Sequence, residues 1–228
     1  NSGKADGNLS INQQRISSLK QLKLKADSLI SYNLIKQSIE KQKVKSNSQN
    51  IDSISNLFEK SLLHRIIPYW EGTEWAFEGH TSRPREGKIA CGYFVSTTLR
   101  DIGLNINRYR LAQQSPINEA KSLAVGSEEV EIAEDTNVQN IISIKEKISE
   151  GIHFIGFDQN HVGYILKEKG QLYLIHSNYL NARGVEIETL EESEVFSSYN
   201  RFYIVELSTN ENFLKKWSNG MSVIVITD

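Results

Sequence analysis

The sequence holds one cysteine in 228 residues. No internal disulfide can form, so cysteine usage leaves the redox compartment open. Close ligand pairs of the CxxC or HxxxH kind, which announce a closed structural zinc site, are missing as well. Cys91, His161, His176 and Asp158 could each ligate an ion, but not at that spacing, and His64, His80 and His153 have no partner at ligand spacing. No metal and no cofactor are expected. Charge of one sign is not in excess either: 26 Lys and Arg against 28 Asp and Glu leave −2, which argues against nucleic acid as the main partner. No apolar run reaches the roughly 18–20 residues that cross a bilayer, so no transmembrane segment is expected. No internal repeat is visible. With 39% hydrophobic and 24% charged residues the composition is that of an ordinary globular protein, long enough for one full domain and an extension.

What charge there is lies unevenly. Residues 1–68 carry 11 Lys and Arg against 5 Asp and Glu, +6, and the remainder carries 15 against 23, −8. Three stretches follow: a disordered start over 1–8, a helical N-terminal extension over 9–67, and a second part over 68–228. The helical reading rests on Ile16, Leu19, Leu22 and Leu24, then Leu29, Ile30, Leu34, Ile35 and Ile39. After the polar stretch at 46–50, Ile51, Ile54, Leu57, Phe58, Leu62 and Leu63 resume the pattern. These basic helices could approach an anionic polymer or lipid headgroups, or pack on the acidic part. The chain begins at Asn1 rather than methionine, and removal of an export signal is one reason for such a start.

The lone cysteine stands where an apolar approach becomes a helix, in Lys88-Ile89-Ala90-Cys91-Gly92-Tyr93-Phe94-Val95. Cys91, Phe94, Val95, Thr98, Leu99 and Ile102 share one face, and Gly103 is a natural stop. A thiol at a helix N-terminus meets unpaired N–H groups and the positive end of the macrodipole, which can lower its pKa from about 8.5 to roughly 3.5–7.5 when a histidine helps. On its own, a cysteine on an apolar stripe is more often a small core residue.

Downstream, residues 151–157 and 161–166 are strand-like, with Asp158-Gln159-Asn160 as the turn before His161. The polar turn Lys167-Glu168-Lys169-Gly170 leads into a further strand, Gln171 to Asn178, which carries His176. A tight turn puts His161 and His176 near one end of two paired strands, where one imidazole can orient the other. His153, inside an apolar strand, reads as core.

The run from Gly72 to Phe94, the His161-Val162-Gly163-Tyr164-Ile165 strand and the Ile175-His176-Ser177 strand resemble the NlpC family of papain-like cysteine peptidases, bacterial enzymes that cut peptide bonds in cell-wall peptidoglycan. The resemblance covers about residues 69–178 and implies Cys91 as nucleophile, His161 as base and His176 as the residue that orients the base. Asn178, two residues further along the strand, is the alternative orienter, since asparagine serves that role in papain-like enzymes generally. Ala90 stands where the family usually has aspartate, Gly92-Tyr93 replaces serine-glycine, and Trp75 falls about where a substrate-binding tyrosine would be. The resemblance further implies a peptide or peptidoglycan-derived substrate and a place in the cell envelope or outside the cell. A related wall amidase, or a binding module that keeps the fold without turnover, are the alternatives.

Tyr69, Trp70, Trp75 and Phe77 cluster ahead of Cys91, as a groove wall or as packing behind the helix. Arg83 and Arg85, in a loop marked by Pro84 and Gly87, could meet a substrate carboxylate. Tyr69, Trp75, Arg83 and Asn178 are thus the residues expected to touch substrate. The long segment from Asn105 to Glu150 is expected as a lid or an extra helix. Strand-like runs at 184–188, 202–207 and 222–227, with a helix over 211–217, complete an α+β chain: a papain-like core with an antiparallel sheet packed on the nucleophile helix, after an N-terminal helical extension.

Overall fold

The computed structural model describes residues 31–46 and 48–227. The expected disordered start and the helical pattern before Ser31 lie outside them. Two helices come first, α1 (Tyr32–Ser46) and α2 (Ile51–Glu59), the second capped by the Asn50 side chain on the Ser53 N–H at 2.9 Å. A π-helical stretch (Lys60–Ile66) and α3 (Ile67–Trp70) continue it. Then follow α4 (Cys91–Asp101), α5 (Arg108–Ala112), α6 (Pro116–Ala124), β1 (Val130–Ile132) and α7 (Asn137–Lys147). The strands β2 (Gly151–Phe157), β3 (His161–Glu168), β4 (Gln171–Asn178) and β5 (Gly184–Thr189) come next. The chain closes with α8 (Glu194–Ser197), β6 (Phe202–Glu206) and α9 (Glu211–Ser218).

Among the described residues the strands form one antiparallel sheet in the order β1-β6-β2-β3-β4-β5. Both faces are covered, which is why β2 is buried along its whole length, His153 included, rather than in alternation. On one face Phe154, Tyr164 and Ile175 pack with Phe94 and Leu99 of α4 and with Phe58, Leu62 and Trp70 from the first helices. On the other, Ile155, Phe157, Leu174 and Phe202 pack with Ile144 of α7 and Phe196 of α8. The first helices are tied in by polar contacts as well: the Tyr32 hydroxyl donates to Asp101 at 2.7 Å, and Lys43 Nζ donates to the Gly103 carbonyl at 2.6 Å. The described helices α1 and α2 thus pack on the rest of the chain. No helix among the described residues is long and apolar enough to cross a membrane.

The β3–β4 turn shows how locally the hairpin is encoded. Lys169 and Gly170 both have positive φ, 52° and 73°, and the Glu150 carboxylate accepts both their N–H groups at 2.6 and 3.0 Å. The 105–150 segment, expected as a lid or an extra helix, forms the helices α5, α6 and α7 and the strand β1, with β1 paired to β6 at the sheet edge and Ala112 of α5 lining the Cys91 cavity. One expectation fails. The tail at 222–227 is no strand: Val223 N–H donates to Asn105 and Ile226 N–H to the Ser122 hydroxyl, so loop and helix take the bonds a ladder would need.

Candidate active site

The approach to Cys91 is pinned by main-chain bonds. Gly72 N–H donates to Val185 and Val185 N–H to Thr73, at 2.8 and 2.9 Å, which lays the loop along the edge of β5. Ile89 N–H then donates to Glu74 and Ala90 N–H to Gly79, both at 2.8 Å, and Ser177 of β4 donates to the Ile89 carbonyl at 2.7 Å. Ala90 is the N-cap of α4 and has no side chain to offer, so the first N–H groups of the helix are left for the sulfur.

Gly92 has a steric reason. A Cβ there would sit 2.9 Å from the Ala112 carbonyl oxygen and 3.1 Å from Glu119 Oε1, so α5 and α6 close onto the start of α4 only because the side chain is missing. Alanine would gain about 1 kcal/mol of helix propensity, but a clash with main chain costs about 1–3 kcal/mol. Gly92→Ala should therefore lower the unfolding midpoint, measured by thermal melting.

Cys91 is half-buried, and its thiol donates to the Asn160 carbonyl at 3.7 Å. Burial pushes the thiol up to about 11. The N–H groups of Val162, Gly92 and Cys91 itself act in the other direction, and the Glu119 carboxyl adds to the rise. The helix N-terminus expected to activate the thiol is present, but desolvation outweighs it. Glu119 is buried, its own carboxyl pushed well up by that burial, and its Oε2 has no partner.

His161 opens β3, opposite Phe157 of β2. Its neighbour Val162 packs in the core with α4, and its own ring lies edge-on to Phe157 at 5.0 Å and to Tyr179 at 5.4 Å. The Cys91 sulfur thus meets main chain on both sides of His161, and Cys91 and His161 line one cavity of about 530 Å³ together with Trp75, Tyr93, Tyr179 and Tyr199. Burial, with the neighbouring His176, pushes His161 well below the ordinary histidine value, so its ring is neutral.

His161 Nε2 lies 2.8 Å from His176 Nδ1, and His176 Nε2 lies 3.1 Å from Glu188 Oε1. Ser193 donates to the same Glu188 oxygen at 2.5 Å. Burial raises the Glu188 carboxyl, but the bonds from His176 and Ser193 outweigh it and hold the group below the usual carboxylate range. An ionised Glu188 only accepts, so His176 carries its proton on Nε2. Its Nδ1 then accepts from His161 Nε2–H, which leaves His161 Nδ1 as the unprotonated nitrogen. The chain of contacts fixes both tautomers.

The remaining expected residues are distributed differently. Trp75 is in the cavity with Cys91, its ring 6.3 Å from Tyr179. Arg83 and Tyr69 are not: with Lys36 and Arg100 they line a separate cavity of about 820 Å³. Arg83 pairs with Glu86 at 3.2 Å, while Tyr69 packs on Tyr32, so neither reaches Cys91. Asn178 is fully buried, donating to Glu186 at 2.5 Å and accepting from Leu180 N–H at 2.8 Å, so its amide serves neither substrate nor His161. Glu188, Tyr179 and Tyr199 were not singled out in the sequence. The signal for Glu188 is the alternation Val185-Glu186-Ile187-Glu188, which offers two acids for one histidine.

His176, Glu186 and Glu188 also bring ligand atoms within 4.8 Å of one another, the arrangement among the described residues that could hold an ion. Glu186 is engaged by Asn178 and, at 3.5 Å, by Arg183, and Glu188 by His176 and Ser193. Comparison with protein-family models, curated proteins and solved structures found no match to this chain.

Proposed function

We propose that this chain is a papain-like cysteine hydrolase that cleaves peptide or amide bonds through a thioester on Cys91. The observation that carries the reading is the bond between His161 Nε2 and His176 Nδ1 at the cavity shared with Cys91, with Glu188 behind it. With a thiol near 11 and a neutral imidazole, no thiolate–imidazolium pair stands ready. The proton moves during attack: the thiol leaves its bond to Asn160, His161 Nδ1 takes the proton, and sulfur adds to the carbonyl carbon. The imidazolium then protonates the departing amine, the C–N bond breaks, and a thioester remains. Water, deprotonated by His161, adds to the thioester; collapse releases the acid and returns the proton to sulfur. The Cys91 N–H at the start of α4 would donate to the developing oxyanion, and loss of such a donor typically costs about 100- to 1000-fold in rate.

The substrate we propose is a cell-wall peptide, and with it a location in the envelope or outside the cell; the support is the likeness of the three sequence blocks to NlpC peptidases. One observation favours a second reading, a binding module without turnover: the thiol is bonded to main chain and held neutral.

Alkylation separates the two. At a pKa of about 11, only about one thiol in ten thousand is ionised at pH 7, and unassisted reaction should climb about tenfold per pH unit up to about 11. A hydrolase should add a His161-dependent component, so iodoacetamide modifies Cys91 faster at pH 7 than that line extrapolates, and His161→Ala removes the excess. A rate that follows the line in both proteins sinks the hydrolase. Mass analysis of digested peptidoglycan then tests the substrate.

A further inference from the structure

We infer that the substrate residue seated in the Cys91 cavity is uncharged and apolar; this rests on the hydrolase reading above. Among the described residues no ionised side chain lines the Cys91 cavity, and His161 is held neutral. Its walls are rings: Trp75, Phe77, Tyr93, Tyr179 and Tyr199, with Phe77 80% exposed at the rim. The polar side chains there are uncharged: the Gln159 and Asn160 amides, the neutral His161 ring and the Tyr93, Tyr179 and Tyr199 hydroxyls, the last of which donates to Asn160 Oδ1 at 3.2 Å.

A cation that could meet a substrate carboxylate would have to come from outside this lining. Arg108 is buried, its guanidinium lying over the rings of Tyr93 and Tyr109 at 5.4 and 4.7 Å and donating to Thr97 at 2.9 Å and to the His80 carbonyl. Arg83 lies in the other cavity. A carboxylate entering beside Cys91 would lose water and meet no cation in the lining, whereas an aromatic or aliphatic side chain exchanges water for ring faces. Cavities of this size fix orientation with a few polar groups and take binding energy from apolar lining.

The test uses two chloromethyl ketones, N-acetyl-phenylalanyl and N-acetyl-glutamyl. In each, the Cys91 sulfur forms a thioether to the methylene carbon, chloride leaves, and the thiol proton passes to His161. Adducts are read by mass spectrometry, with iodoacetamide as the size-independent reference for the thiol. The phenylalanyl reagent should react at least about 100-fold faster than the glutamyl one, and Trp75→Ala or the rim variant Phe77→Ala should shrink that ratio several-fold. Equal rates, or a faster glutamyl reagent, with iodoacetamide still His161-dependent, overturn the inference and leave the hydrolase standing. If iodoacetamide loses its His161 dependence, the hydrolase reading falls and takes this inference with it.

Discussion

His161→Ala should lower kcat/KM on a peptide amide by roughly 10⁴-fold while the protein stays folded. The size follows from the resting state of the thiol. Were Cys91 a preformed thiolate, the histidine would be needed mainly to protonate the leaving amine; with the thiol near 11, each attack requires a base at that moment. The folding cost is smaller: the variant leaves His176 Nδ1 without a donor and opens space against Phe157 and Tyr179. An unmet buried acceptor costs about 1–3 kcal/mol, which a melting curve will show as a lowered midpoint rather than an absent transition. His176→Ala alone should cost about 100-fold, and the double variant should be no slower than His161→Ala, because His176 acts only through His161. A His161→Ala enzyme within tenfold of the parent would remove His161 from the chemistry.

The features legible in the sequence are those set by neighbours along the chain. The helix that starts at Cys91 ends as its period and Gly103 predict, with Gly103 at φ 90° donating to Arg100 and Leu104 donating back to Leu99. The β2–β3 and β3–β4 turns fall at Asp158-Gln159-Asn160 and Lys169-Gly170, and His153 is buried with a ring nitrogen on the Ser149 carbonyl. The features that were not legible depend on contacts across the fold. The thiol pKa depends on how deeply α4 is covered and on Glu119, brought in from α6. Arg83 looked like a carboxylate clamp because its loop precedes Cys91, yet the loop turns away to face α1. Gly92 has its reason in a contact invisible in one dimension, the Ala112 carbonyl above it.

Glu188 is the clearest case of a residue only the fold could nominate, and its removal is the second large effect expected. On β5 the residue directly opposite His176 is Glu186, yet the diagonal Glu188 takes the imidazole, while Glu186 is drawn off by Asn178 and Arg183. Glu188→Ala leaves His176 Nε2–H without an acceptor and no longer favours the tautomer that keeps His161 Nδ1 unprotonated; roughly 100- to 1000-fold should be lost from kcat/KM. Glu188→Gln should lose only about tenfold, because Ser193 and His176 both donate to one oxygen and hold the amide with its carbonyl toward them. The sign of the pH effect is fixed. Glu188 is the anion at the end of the chain, so its removal disfavours the His161 imidazolium, and the acid limb of kcat/KM should move to still lower pH in Glu188→Gln. A residue that merely holds β5 in place would lower the melting midpoint and leave that limb where it was. Equal losses in the alanine and glutamine variants, with an unmoved acid limb, would reduce Glu188 to such a residue and leave the orientation of His161 to His176 alone.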